Sequence, residues 1–302
     1  MAPVQGSPLL ITGASGLLGR ALCSLAVKRG PVAGVFRRHR PDVQGLDPVQ
    51  ADLCGEGVLE RLMGDLRPAA VIHAAAMADV AACQRDPELS EKINVQVPVQ
   101  MAALCAKREI PFAFASSDLV FEGTEPPYAE DADVAPLSAY AGQKAVAEKL
   151  VQRAWPRALV CRLPLLIGVA ELGDRHFCSR MLRAIREDSP LDLFVDEDRT
   201  PVDTHSAARG MLLLIGRARG IFHLGGRSRV SRHTLGLMMA DAMGVAPRMI
   251  RPIFIHQARL DVPRAGDVSL DSAKAYAAGY APSPLDAGVG EVVADFLDLC
   301  DG

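Results

Sequence analysis

The sequence predicts an α/β protein built on a doubly wound parallel sheet, with a smaller C-terminal substrate lobe. Three observations predict it. Short apolar runs alternate with longer helical patterns through the first two-thirds of the chain, the order that yields parallel strands joined by crossover helices. The strand candidates are continuous apolar runs, as expected for strands covered on both faces. A glycine-rich segment, Thr12-Gly13-Ala14-Ser15-Gly16-Leu17-Leu18-Gly19, stands between the first apolar run and the first helical pattern, where Rossmann-type folds turn sharply from strand to helix.

Strands are expected at residues 8–12, 32–36, 69–74, 111–115 and 158–163, with one more short strand ending at Ala51, Asp52 and Leu53. Helices are expected at 17–29, 56–66, 87–108 and 139–153. Beyond Leu163 the pattern is interrupted by Pro164 and Gly168. A helix at 177–186, a strand at 220–224 returning to the sheet, helices at 231–243 and 289–299, and a strand or loop at 251–263 complete the reading. No linker, repeat or low-complexity tract divides the chain.

The glycine segment has the form T-G-x-x-G-x-x-G. Gly13 permits the tight turn, Gly16 lets backbone approach a pyrophosphate, and Gly19 lets the helix pack on the strand. Ser15, Leu17 and Leu18 contribute to the first helical turn, whose free N–H groups face the phosphates. A dinucleotide site follows from that context rather than from the glycines alone. The second strand ends in Val35-Phe36-Arg37-Arg38-His39-Arg40, with no acid before Asp42. An acid there would suit the ribose hydroxyls of NAD, whereas a guanidinium pairs with a 2′-phosphate. NADP is therefore the expected cofactor and NAD the alternative. Asp52 and Leu53 are placed to hold the adenine, and Ala74, Ala75 and Ala76 are small enough for the cofactor to cross the strand end. The expected division is residues 1–165 as a dinucleotide-binding domain, with 196–230 returning to the sheet. Residues 166–195 and 231–302 would form the substrate lobe.

The strand at 111–115 ends in Ser116-Ser117-Asp118, and a later helix begins with Tyr140-Ala141-Gly142-Gln143-Lys144. Tyr and Lys four apart share a helical face. A phenol of ordinary pKa, about 10, exchanges protons poorly at neutral pH, and a nearby ammonium, aided by the cofactor's positive ring when oxidised, is expected to lower it. The Ser117 hydroxyl can hold a carbonyl or alcohol oxygen. Together these groups suit proton transfer coupled to hydride transfer.

Other classes find little support. A formal charge of −3 over 302 residues argues against nucleic-acid binding, and Arg37, Arg38 and Arg40 alone do not make a basic face. With 49% hydrophobic residues, a sizeable core is available. The first ten residues lack the pattern of a signal peptide, and no apolar run approaches a membrane span. Seven scattered cysteines without a C-x-x-C pair read as reduced thiols, so a cytoplasmic protein is expected. The histidines show no metal-ligand spacing, and no metal is expected. A G-x-S-x-G elbow is absent.

These residues, in this order, resemble the extended short-chain dehydrogenase/reductases over nearly the whole chain, and among them the dTDP-4-dehydrorhamnose reductase-like, sugar-nucleotide-binding members. Residues 116–128, SSDLVFEGTEPPY, resemble S-[ST]-D-Y-V-F-D-G-T-x-x-P-Y. Residues 135–144 with Glu148 resemble P-L-N-x-Y-G-K-x-K-x-x-x-E. Residues 196–202, DEDRTPV, resemble the substrate-side loop, and 268–271, VSLD, a segment near the C-terminus. The resemblance implies that Ser117, Tyr140 and Lys144 form the catalytic triad, that Tyr140 and Lys144 also touch the cofactor, Lys144 holding its ribose, that Asn94 completes a tetrad, and that Pro164 borders the nicotinamide. It implies NAD or NADP as cofactor, a nucleotide-sugar substrate, and a homodimer as in many relatives. Leu119 replaces the usual Tyr, Ala141-Gly142 replaces Gly-Lys, and His205-Ser206 stand in place of an acidic helix start. Asp118 is followed by Leu119 rather than Glu, which disfavours dehydration, while an epimerase would use the same triad. The Ser-Ser-Asp and Pro-Pro-Tyr wording also resembles the NADP-binding regulatory β subunit of methionine adenosyltransferase, a different class of function.

Overall fold

The computed structural model describes residues 6–169 and 176–301. The expectation about a signal peptide rests in part on residues 1–5. These, together with 170–175 of the expected lobe and Gly302, lie outside the described residues.

The chain enters through β1 (Leu9–Thr12), α1 (Leu17–Ala26), β2 (Val32–Phe36), β3 (Asp47–Gln50), α2 (Val58–Leu66) and β4 (Ala70–His73). Next come α3 (Val80–Arg85), α4 (Pro87–Glu91), a π-helical segment (Lys92–Gln96), α5 (Val97–Arg108), β5 (Phe112–Ser117), α6 (Ala139–Ala154) and β6 (Leu159–Leu163). The remainder holds β7 (Leu166–Ile167), α7 (Phe177–Arg186), β8 (Leu191–Phe194), β9 (Asp198–Arg199), β10 (Val202–Asp203), α8 (Thr204–Leu214) and β11 (Gly220–His223). It ends with β12 (Val230–Ser231), α9 (Arg232–Ala242), β13 (Ile250–Ile253), α10 (Ala273–Ala277) and α11 (Leu285–Asp301).

Seven strands form one sheet in the order β11-β6-β5-β4-β1-β2-β3, and every neighbouring pair is parallel. The strand order reverses between β1 and β4, the crevice in which such sheets bind ligands. Alternation along each strand sends successive side chains to opposite faces. Ile11, Ile72 and Cys161 join α1 and α8 in one core; Leu10, Val71 and Val160 join α2, α5 and α6 in the other. The doubly wound sheet expected from the sequence is the sheet that forms. A third core, on α7, α9, α11, β8 and β13, gathers Leu182, Leu193, Leu235 and Val289.

The structure amends several expected elements. The helix expected across 87–108 is broken by the π-helical segment, so it comprises α4 and α5 with an offset between them. The short third strand stops at Gln50, leaving Asp52 in a turn where its Oδ1 accepts from the Cys54 N–H at 3.0 Å. Helix α8, unforeseen in the sequence, starts where Asp203 Oδ1 accepts from the Ser206 N–H at 2.7 Å, an N-cap of ordinary chemistry. Among the described residues, no helix is long and apolar enough to cross a membrane.

Candidate functional site

The glycine loop does what its spacing requires. Gly13 adopts φ +72°, and a Cβ there would lie 2.7 Å from the Ala75 nitrogen. A Cβ on Gly19 would lie 2.0 Å from the Gly13 carbonyl oxygen, so only glycine lets α1 sit this close to β1. Gly16 is the N-cap of α1 and supplies no side-chain cap, which leaves first-turn N–H groups available to an anion. A cavity of about 380 Å³ opens over this turn, with Gly13, Ser15 and Gly16 on one wall. Arg37, Asp52 and Leu53 line its second wall, and Ala74, Ala75 and Ala76 its floor.

Not every expected residue reaches this cavity. Leu18 packs its side chain into the core, so only its backbone faces the loop. Leu17 lines a different recess, beside Gly168. Arg38 is exposed and lies outside the lining, and Pro164 is buried in the short gap between β6 and β7. The cradle without Cβ atoms, the exposed helix end and the guanidinium at the end of β2 suit a dinucleotide with a phosphorylated ribose.

Ser117, Tyr140 and Lys144 come together where β5 ends. Ser117 lies at the last position of β5, 8% exposed; its Oγ donates to Asp118 Oδ1 at 3.1 Å and accepts from the Leu119 N–H at 3.2 Å. Helix α6 starts where Ser138 Oγ accepts from the Ala141 N–H at 3.2 Å, and this cap places Tyr140 in the first turn. Lys144 Nζ donates to the Ala115 carbonyl at 2.8 Å and lies 4.6 Å from the Phe114 ring centroid and 5.9 Å from that of Tyr140. The other three tyrosines are occupied elsewhere. Tyr128 Oη accepts from the N–H groups of Gly123, Thr124 and Glu125, while Tyr276 and Tyr280 donate to carbonyls of the 224–226 turn.

The spacing predicts a phenol lowered by Lys144, and the structure shows the opposite shift. The Lys144 ammonium does not bring the Tyr140 phenol down in this structure. Burial pushes the phenol well above its ordinary value, the neighbouring Asp118 and Cys83 groups oppose its ionisation further, and a hydrogen bond with Ser117 works the other way. Removal from water outweighs a cation whose own Nζ is turned to the Ala115 carbonyl. Lys144 itself is pulled down to about 8 by burial, with Glu148 first and Cys83 second opposing the shift. Asp118, 3% exposed, is pushed up by burial more than Arg199 pulls it down.

Asn94 sits in the π-helical segment, a feature that re-aims side chains and recurs at functional sites. Its Oδ1 accepts from the Met77 N–H at 2.9 Å, and its Nδ2 donates to the Met77 carbonyl at 3.1 Å and to Gln143 Oε1 at 2.9 Å. It therefore ties the loop after β4, which floors the first cavity, to the helix carrying Tyr140 and Lys144.

A second cavity, of about 360 Å³, reaches the N-cap of α6 at Ser138 and is lined by Leu119, Glu197, Arg199, Arg232 and Arg259 among others. Glu197 is its hub. Oε1 accepts from Arg199 Nη2 at 3.2 Å and Arg232 Nε at 3.0 Å, and Oε2 from Arg264 Nη1 at 2.9 Å. Burial works to raise the Glu197 carboxyl, but the guanidiniums of Arg232, Arg199 and Arg264 outweigh it and hold the group below its ordinary value. Arg232 lies over the Phe177 ring and Arg264 over that of Phe194, at 4.3 and 5.4 Å. Arg199 Nε reaches 3.6 Å from Asp118 Oδ2, linking this cluster to Ser117. Among the described residues, no group of three or more His, Cys, Asp or Glu could hold a metal ion.

Residues 7–297 match the RmlD substrate binding domain family. The chain belongs to that family. The β subunit of methionine adenosyltransferase 2 from Xenopus laevis is 29% identical over 298 residues, covering 95% of this chain and 87% of that protein. The probable low-salt glycan biosynthesis reductase Agl14 of Haloferax volcanii is 30% identical over 263 residues, covering 84% and 86%. Among solved structures, a dTDP-4-dehydrorhamnose reductase from Bacillus anthracis in complex with NADP superposes with a TM-score of 0.82 at 19% identity, covering 96% of this chain and 99% of that one.

In this RmlD family member, sequence reasoning missed Cys83, Gln143, Arg232, Arg259 and Arg264. Gln143 stands beside Lys144 in sequence, and its position in that helical turn was the one available signal. Arg232 stands far in the chain from Arg259 and Arg264, with no local pattern to mark any of them.

Proposed function

We propose that the protein is an NADPH-dependent reductase of a keto group on a nucleotide-activated deoxysugar, acting in the cytoplasm. One observation carries this reading: Ser117, Tyr140 and Lys144 are buried together at the carboxyl end of β5, on the same sheet edge as the glycine-loop cavity. Bound NADPH would supply the hydride. Arg37 would pair with its 2′-phosphate and the first turn of α1 would face its pyrophosphate. The Ser117 hydroxyl would orient the substrate carbonyl. Tyr140 would hold the proton that the new alcohol takes up, and burial keeps that phenol protonated, as a donor must be. Lys144 would hold charge beneath the site, and Asn94 would keep the cofactor loop against α6. Arg232 and Arg264, each over an aromatic ring, suit the diphosphate of a nucleotide sugar.

A second reading, a cofactor-binding regulatory subunit, is favoured by the 29% identity to the methionine adenosyltransferase β subunit. One experiment separates them. Purified protein is titrated with NADPH and NADH, then assayed for NADPH oxidation against a panel of nucleotide 4-keto-6-deoxysugars. Turnover on one of them supports the reductase; an epimerase would interconvert sugars without net NADPH consumption. Tight NADPH binding with no turnover, and a stable complex with a methionine adenosyltransferase catalytic subunit, would favour the regulatory reading. Tyr140→Phe should fold and bind NADPH while losing turnover by roughly 10²–10⁴-fold. Full activity in that variant would sink the mechanism.

A further inference from the structure

The reactive groups rest on a second, buried layer of charge. Glu148 follows Lys144 by one helical turn on α6, so the two side chains share a face, and both are buried, at 3% and 2% exposure. The Glu148 carboxylate is fully engaged. Ser116 Oγ donates to its Oε1 at 2.5 Å; Arg162 Nε donates to both oxygens at 3.1 and 3.2 Å, and Arg162 Nη2 to Oε2 at 2.8 Å. Ser116 immediately precedes Ser117 on β5, and Arg162 is on β6. One carboxylate thus joins the helix that carries Tyr140 and Lys144 to the strand that carries Ser117.

Among the described residues, the Lys144 ammonium bonds a backbone carbonyl rather than a carboxylate. Its surroundings are the Ala115 carbonyl and the Phe114 ring from β5, Tyr140 and Glu148 from α6, Cys83 from α3, and His73 from β4. His73 is held neutral by burial, down to about 3, and burial raises the Cys83 thiol, so neither is charged near neutral pH. Of these groups Glu148 is the carboxylate that opposes the loss of the Lys144 proton, and Arg162 binds it from β6.

We propose that Glu148 is a positioning residue for the Ser117–Tyr140–Lys144 site, seating the end of β5 through Ser116 and supplying the negative charge that keeps Lys144 an ammonium. This deepens, and rests on, the reductase reading, because it assigns a requirement to the same site.

The test reads Lys144 directly. The chain has six lysines, and protein labelled with ¹³C at lysine Cε allows each to be followed by NMR across pH, with Lys144 assigned from a Lys144→Met sample. In the unaltered protein Lys144 should titrate near 8. In Glu148→Gln, which keeps hydrogen-bonding atoms but no charge, its midpoint should fall by on the order of one pH unit. Because this variant leaves Arg162 unpaired, Glu148→Gln combined with Arg162→Met provides a second sample in which the buried pair is removed together, and a lower midpoint is expected there too. A Lys144 midpoint unchanged in the folded variants would overturn the proposal. Glu148→Asp, which restores the charge, should bring the midpoint part of the way back. If reductase activity is found, the alkaline limb of kcat should follow Lys144 downward in Glu148→Gln. If none is found, the reductase reading fails while the lysine titration still decides the role of Glu148.

Discussion

At Tyr140 two influences compete: a cation one turn away in the helix, and the loss of water around the phenol. The structure resolves the competition for burial, and the result is a tyrosine that stays protonated at any physiological pH. Lys144 faces the opposite consequence, since burial makes its ammonium easier to lose and brings it down to about 8. The sign for activity follows. Below about 8 Lys144 is charged; as pH rises through that value it becomes neutral and ceases to support charge at the site. Turnover should therefore fall on the alkaline side near pH 8, not near 10, and a pH–rate profile with saturating NADPH checks it. A profile flat to pH 10 would mean that Lys144 is not titrating in the working enzyme.

The elements show where glycine is required and where it is merely present. On Gly19 a Cβ has no room, whereas at Gly64 in α2 and Gly290 in α11 it would meet nothing within 4 Å. Both lie at exposed helical positions, where glycine is disfavoured against alanine by the entropy lost on folding. Gly64→Ala and Gly290→Ala should each stabilise the protein by about 0.5–1 kcal/mol, read as a higher urea midpoint with unchanged m. Gly19→Ala should instead reduce both stability and NADPH binding. The π-helical segment makes the same point in another way. Nothing in Lys92-Ile93-Asn94-Val95-Gln96 announces it, yet the widened turn aims Asn94 at both Met77 and Gln143.

Across the whole molecule, two histidines couple stability to acid. His73 on β4 bonds Thr12 Oγ1 through Nδ1 at 2.9 Å. His223 on β11 lies between Arg162 Nη1 at 3.3 Å and the Asp271 carbonyl at 3.0 Å, so it joins the sheet edge to the C-terminal segment. Burial holds both down to about 3, and Arg162 adds to the effect at His223. An unfolded histidine takes up its proton near 6.5. Between about 6.5 and 3 the unfolded chain therefore binds more protons than the folded one, and stability declines as pH falls. Each histidine contributes a slope of about 1.4 kcal/mol per pH unit in that window. Urea unfolding between pH 7 and 5 should show this decline, and His223→Gln should remove about half of the histidine share. An unchanged slope in that variant would place the acid sensitivity elsewhere.

The sequence by itself determined the sheet, the glycine turn and the Tyr140–Lys144 face, because each depends on local spacing. Strands buried on both sides must be apolar throughout, a turn at positive φ calls for glycine, and residues four apart on a helix lie together. Ser15, Arg37, Asp52 and the three alanines at 74–76 come to line one cavity for the same reason: they lie in the glycine loop or just beyond strand ends whose place in the sheet follows from strand order. The tertiary structure alone decided what depends on residues distant in the chain. Glu197 gathers Arg199, Arg232 and Arg264 from segments that meet only after folding. Leu18 turned inward because the core covers that face of α1, and Arg38 stayed outside because the loop carries it away from the cavity. The direction of the Tyr140 shift was likewise beyond reach, since a four-residue spacing records which charge is near but not how much water has been removed.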